Sequence, residues 1–172
     1  MELRILFSGE IGVSFSHFSI ETDAPVERHS IGEFSGQKNG LLGAAREGRL
    51  LFTARPKDAT IDLEIQYFRS RPEVDKRYDK IVEASFERPD EPVFLCQWAH
   101  EVVYPLDLPP GEYRVRYCVK GLGLEYGEDD IIAQSTIPGQ GYLVQFWPEE
   151  PSEDRIVRQS SAEAKYWHSR RK

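Results

Sequence analysis

At 172 residues, with 40 % apolar and 12 % aromatic side chains, the chain suits one packed domain and is too apolar to default to disorder. Its formal charge of −7 argues against a surface-wide role in binding DNA or RNA, because phosphate recognition needs a concentrated positive field. An acid at Glu2, polar residues by Ser8 and no apolar run of membrane-span length give the expectation of no signal peptide, no membrane role and a cytoplasmic location.

Strand signals dominate the chain order. Residues 2–7 read as a first strand. In 11–20, Val13 and Phe15 alternate with serines, then Phe18 and Ile20 continue on the other parity, which predicts a bulge near Ser16–His17. Residues 21–39 are polar and Gly-rich and read as a long loop, and 40–46 could form one helical turn. An apolar strand over 49–55 ends at Pro56. Over 60–68, Ile61, Leu63, Ile65 and Tyr67 alternate with Asp62, Glu64 and Gln66, the pattern of a strand with one wet face. Residues 80–87 put Val82, Ala84 and Phe86 on one side, and 92–98 and 100–106 are two further short strands. Leu108-Pro109-Pro110-Gly111 is a chain reversal, since proline fixes φ and glycine accepts positive φ. Tyr113, Val115, Tyr117 and Val119 then alternate with Arg114, Arg116 and Lys120, and 141–147 is a last strand stopped by Pro148. Ser160 and Glu163 have capping-box spacing, so a short basic helix is expected over 160–170. The pattern predicts a mainly β fold: an antiparallel two-sheet β-sandwich over 1–150, with a basic C-terminal extension over 151–172 that carries the helix.

Catalytic signatures are absent from the sequence. Cys96 and Cys118 are too few to frame a secreted domain, lack metal-site spacing and sit in apolar runs, so buried free thiols are expected. His17, His29, His100 and His168 form no metal-ligand pattern, and His17 reads as a hydrogen-bonded structural residue. No nucleophile elbow or phosphate loop occurs. No enzyme activity, metal or cofactor is expected.

Charge patterning is more informative. From Gly121 to Asp154 there are eight acids and no lysine or arginine, whereas 155–172 carries six basic residues against Glu163. That tail of +5 within a total of −7 leaves −12 for residues 1–154. Two readings are open: an acidic loop paired in cis with the basic tail, or an acidic surface that docks a basic partner through Glu125, Glu128, Asp129 and Asp130. A different class of function, a small-molecule or glycan site, would place Trp98, Tyr126 or Trp147 in a cleft.

Val13-Ser-Phe-Ser-His-Phe-Ser-Ile20, Gly40-Leu-Leu-Gly-Ala-Ala45 leading into Leu50-Leu-Phe-Thr-Ala54, and Leu106-Asp-Leu-Pro-Pro-Gly-Glu-Tyr-Arg-Val115 together resemble the competence protein J family. The resemblance covers roughly residues 5–120 and fades beyond. It implies a small acidic protein that binds and inhibits a DNA-entry nuclease. No inhibitory residue of the family is matched to a position here. The expectation is therefore a non-enzymatic protein-binding module whose partner is a basic protein such as a nuclease.

Overall fold

Ile61, Leu63 and Ile65 are buried and Asp62 between them is exposed, so the alternation read over 60–68 is realised as a strand with one face in the core. The computed structural model describes residues 2–22, 32–54, 56–97, 101–120 and 136–159, and for 136–140 it describes the backbone alone. These residues form eleven strands: β1 (Leu3–Val13), β2 (His17–Thr22), β3 (Leu42–Gly43), β4 (Arg49–Thr53), β5 (Ala59–Phe68), β6 (Lys80–Arg88), β7 (Val93–Cys96), β8 (Val103–Leu106), β9 (Gly111–Val119), β10 (Thr136–Pro148) and β11 (Arg155–Gln159). A six-stranded sheet has the order β1-β5-β10-β9-β6-β11, and a five-stranded sheet has the order β3-β4-β2-β7-β8. Their inner faces share one core.

Aromatic packing locks the sheets together. Phe18 on β2 and Phe52 on β4 stack at 4.7 Å, and Tyr117 of the other sheet meets them edge-on at 6.1 and 5.0 Å. The Tyr117 hydroxyl donates to the Thr53 carbonyl at 3.0 Å, so this buried phenol is satisfied across the inter-sheet gap. Pro109 and Pro110 carry the chain from β8 in one sheet to β9 in the other. The Tyr113 hydroxyl closes that corner by donating to the Pro109 carbonyl at 2.6 Å.

The fold departs from the expected pattern in four places. The parity slip near Ser16 is a full reversal rather than a bulge: β1 ends at Val13, β2 begins at His17, and the His17 N–H donates to the Ser14 carbonyl at 3.1 Å. Phe15 and Ser16 form the two-residue turn at φ 53° and 64°, the left-handed pair that matches strand twist. A register shift does occur, but within β1, between Ile5 and Phe7. Residues 42–43 make a short strand on β4 instead of belonging to a helical turn. The larger sheet is mixed, because β10 runs parallel to β5 while antiparallel to β9. Finally, Arg155–Gln159 adds β11 to the edge of β6, a strand that no alternation announced. The helix expected over 160–170 lies outside the described residues.

Candidate functional site

Glu125, Glu128, Asp129 and Asp130 lie outside the described residues, as do Trp98, Tyr126, His29, His100 and His168. The later acids of the same run are described, and three of them have structural partners. Glu149 accepts from the Trp147 indole N–H at 2.7 Å. Glu153 pairs with Lys38 Nζ at 3.1 Å. Asp154 accepts from the backbone N–H of Lys38 and Asn39 and from Asn39 Nδ2, all within 2.9 Å, which ties the 38–39 loop to the start of β11. Trp147, one of the three aromatics named for a glycan or small-molecule cleft, is buried and lines no open cleft.

An exposed acidic rim stands at the end of the six-stranded sheet where β6 finishes and β9 begins. Glu87 and Glu112 face each other directly in the β6–β9 register, and both are exposed. The Glu112 carbonyl accepts from the Glu149 N–H at 3.3 Å, which brings exposed Glu150 to the same rim, while Asp90 and Glu91 follow in the β6–β7 connection. Like charges directly opposite on neighbouring strands disfavour the pairing, so this placement is not explained by sheet stability.

The outer face of the same sheet holds a different electrostatic centre. Register puts Glu83 of β6 opposite Arg116 of β9, and both are fully buried. Glu83 Oε1 accepts from Arg116 Nε at 2.9 Å and Oε2 from Arg155 Nη2 at 2.6 Å. Arg114 Nε and Arg71 Nη2 approach the same carboxylate at 3.4 Å. Arg116 also donates to the carbonyls of Pro72 and Glu73 and to Gln145 Oε1. The Trp147 ring lies against two of the guanidinium groups, with Arg116 Cζ at 4.9 Å and Arg71 Cζ at 5.8 Å from its centroid. Burial alone would raise the Glu83 pKa, but the hydrogen bonds from Arg116 and Arg155 outweigh it and hold the carboxyl below its ordinary value.

Alternation with Tyr113, Val115 and Tyr117 would by itself leave Arg114 and Arg116 on a wet face, yet both are buried. The parity carried a signal that composition hides. Cys118 and Ile81 lie on the same outer face and pack there with Leu143, so that face is covered rather than solvated. The segments around Pro72 and Ser152 provide the cover, through the carbonyls that Arg116 and Arg114 bond.

Burial shifts the protonation of His17, Cys118 and Tyr113. His17 is lowered from its ordinary pKa, chiefly by burial, against a backbone hydrogen bond to Phe15 that raises it. Both cysteines are buried free thiols, and burial pushes Cys118 up to about 12. Burial likewise carries Tyr113 to about 12. Among the described residues there is no group of three His, Cys, Asp or Glu side chains that could hold a metal ion.

No protein-family model matches the chain, and no curated protein matches it significantly. Solved structures do. The fold resembles that of ComJ. That protein, described as the inhibitor of the DNA-degrading activity of NucA from Bacillus subtilis, matches with a TM-score of 0.59 at 15 % identity, over 87 % of this chain and 100 % of its own. A second match is the product described as crocagin biosynthetic gene J, with a TM-score of 0.51, 15 % identity and the same coverage. The ComJ likeness extends beyond residue 120, where the sequence resemblance fades, because 87 % coverage exceeds what residues 5–120 supply.

Proposed function

We propose that the chain is a non-enzymatic protein-binding module of the nuclease-inhibitor kind, in which an acidic face docks a basic partner. The observation that carries the reading is the ComJ-like fold over 87 % of the chain, joined to a formal charge of −7. Carboxylates on such a face stand where nucleic-acid phosphates would sit in a nuclease channel, and opposite charge accelerates the encounter. The proposed docking residues are Glu125, Glu128, Asp129 and Asp130, and the rim of Glu87, Glu112 and Glu150 offers a second acidic surface.

Capture on the immobilised chain at low salt, with the bound proteins identified by mass spectrometry, tests the reading. A basic nuclease is expected, released as salt rises. Charge reversal at 128–130 should abolish capture, and reversal of Glu87 and Glu112 measures the share of the rim. Capture of the same nuclease by both reversed variants would refute the electrostatic docking.

A further inference from the structure

The Glu83 centre is not a balanced ion-pair network. Four guanidinium groups, from Arg71, Arg114, Arg116 and Arg155, share one carboxylate. A second cluster shows what balance looks like here: Arg46 and Arg49 are matched by Glu21 and Glu33. Among the described residues, three positive charges are left in excess around Glu83, and two of the arginines are buried. Arginine stays protonated in proteins, so this excess cannot be relieved by losing a proton.

The contacts are also unevenly satisfied. Arg155 and Arg116 hold Glu83 at 2.6 and 2.9 Å, whereas Arg71 and Arg114 reach it only at 3.4 Å. Arg116 Nη2 is buried with no hydrogen-bond partner. A buried donor without a partner costs stability and calls for an explanation. Arg71 and Arg155 are each about half exposed, at 46 % and 49 %, so solvent reaches two of the four guanidinium groups while Glu83 and Arg116 stay buried. The Trp147 ring against Arg71 and Arg116 holds those groups in place before anything arrives.

We infer that this centre binds a phosphate-class oxyanion at the exposed guanidinium groups of Arg71 and Arg155. A phosphate dianion answers the excess charge better than a single carboxylate, and its several oxygens can accept from more than one guanidinium fork at once. The anion meets the exposed guanidinium groups of Arg71 and Arg155, and buried Arg114 and Arg116 add positive charge beneath them.

Titration calorimetry with inorganic phosphate, against chloride at matched ionic strength, is the test. Saturable binding at one site is expected. Arg71→Gln should weaken it at least about tenfold, the loss of one charge-assisted hydrogen bond. Its contacts with Glu83 are long, so the fold should survive, as circular dichroism would show, and Arg155→Gln probes the other exposed guanidinium group. Arg77→Gln, which removes an exposed pair with Asp75, should bind phosphate as the wild type does. A glycerol phosphate arm separates the sources: equal affinity means the phosphate group alone is read, and tighter binding means the organic moiety is read too. No heat beyond the chloride control, or unchanged phosphate affinity in both Arg71→Gln and Arg155→Gln, would overturn the inference.

Discussion

Phe15 occupies a turn that its chemistry does not favour. Its φ of 53° lies in the left-handed region, which costs a side chain with a Cβ about 1–2 kcal/mol, and Ser16 at 64° bears a similar cost. The residue is 58 % exposed, so burial returns little. Replacing the pair with Phe15→Asn and Ser16→Gly, the sequence this turn prefers, should raise stability by about 1–2 kcal/mol in urea unfolding. An unchanged or lower midpoint would show that the Phe15 ring supports the fold. Glu83 is the opposite case, a residue on which its neighbours depend. Glu83→Gln leaves buried arginines without their counter-charge and should cost about 3–5 kcal/mol. The folded carboxyl titrates below the unfolded one, so its contribution is complete above the unfolded value of about 4.3 and is lost as pH falls through the lower folded value. The acid limb of the stability profile should therefore be shallower in Glu83→Gln than in the wild type. Equal limbs would mean that Glu83 does not drive the acid response.

At the scale of elements, what the sequence made legible depended on whether side-chain parity decided it. β5 and the inner faces of β6 and β9 follow from alternation, because Ile61, Leu63 and Ile65, or Tyr113, Val115 and Tyr117, can only face a core together. The reversal at Phe15–Ser16 stayed hidden because neither residue is a glycine or asparagine. The parallel β10–β5 pair stayed hidden because parity says which face a strand buries and nothing about its neighbour. In β11, Ile156 and Val157 are adjacent and both half-buried, so no period appears. The Glu83 centre was missed for a physical reason as well: arginine in a strand looks wet, and only the apolar residues sharing its parity reveal the cover above it. Turn chemistry gives a test at this scale. Gly48, at φ 69° just before β4, has room for no side chain, since a Cβ would lie 2.5 Å from Thr22 Oγ1. Gly48→Ala should destabilise the β2–β4 pairing by at least about 1 kcal/mol, read from the urea midpoint. A neutral effect would mean that Thr22 swings aside at no cost.

Over the whole molecule, among the described residues, both signs of charge reach the surface: Arg69, Arg77 and Arg158 are exposed, as are Glu87, Glu112 and Glu150. Acids populate the rim, while the arginines of the Glu83 centre are gathered against one sheet face and Trp147. A basic partner approaching the acidic rim would meet Glu87, Glu112 and Glu150, with Arg88 beside Glu87. Docking of a nuclease is the use we propose for that rim; the fold itself is shared with ComJ and with a biosynthetic protein, and one fold can serve unrelated functions. DNA degradation in extract of the cells that carry the gene, followed with and without added purified chain over a salt series, tests the docking most directly. Suppression at low salt that fades as salt rises is the predicted result. Degradation that proceeds at the same rate with the chain in excess at low salt would contradict it.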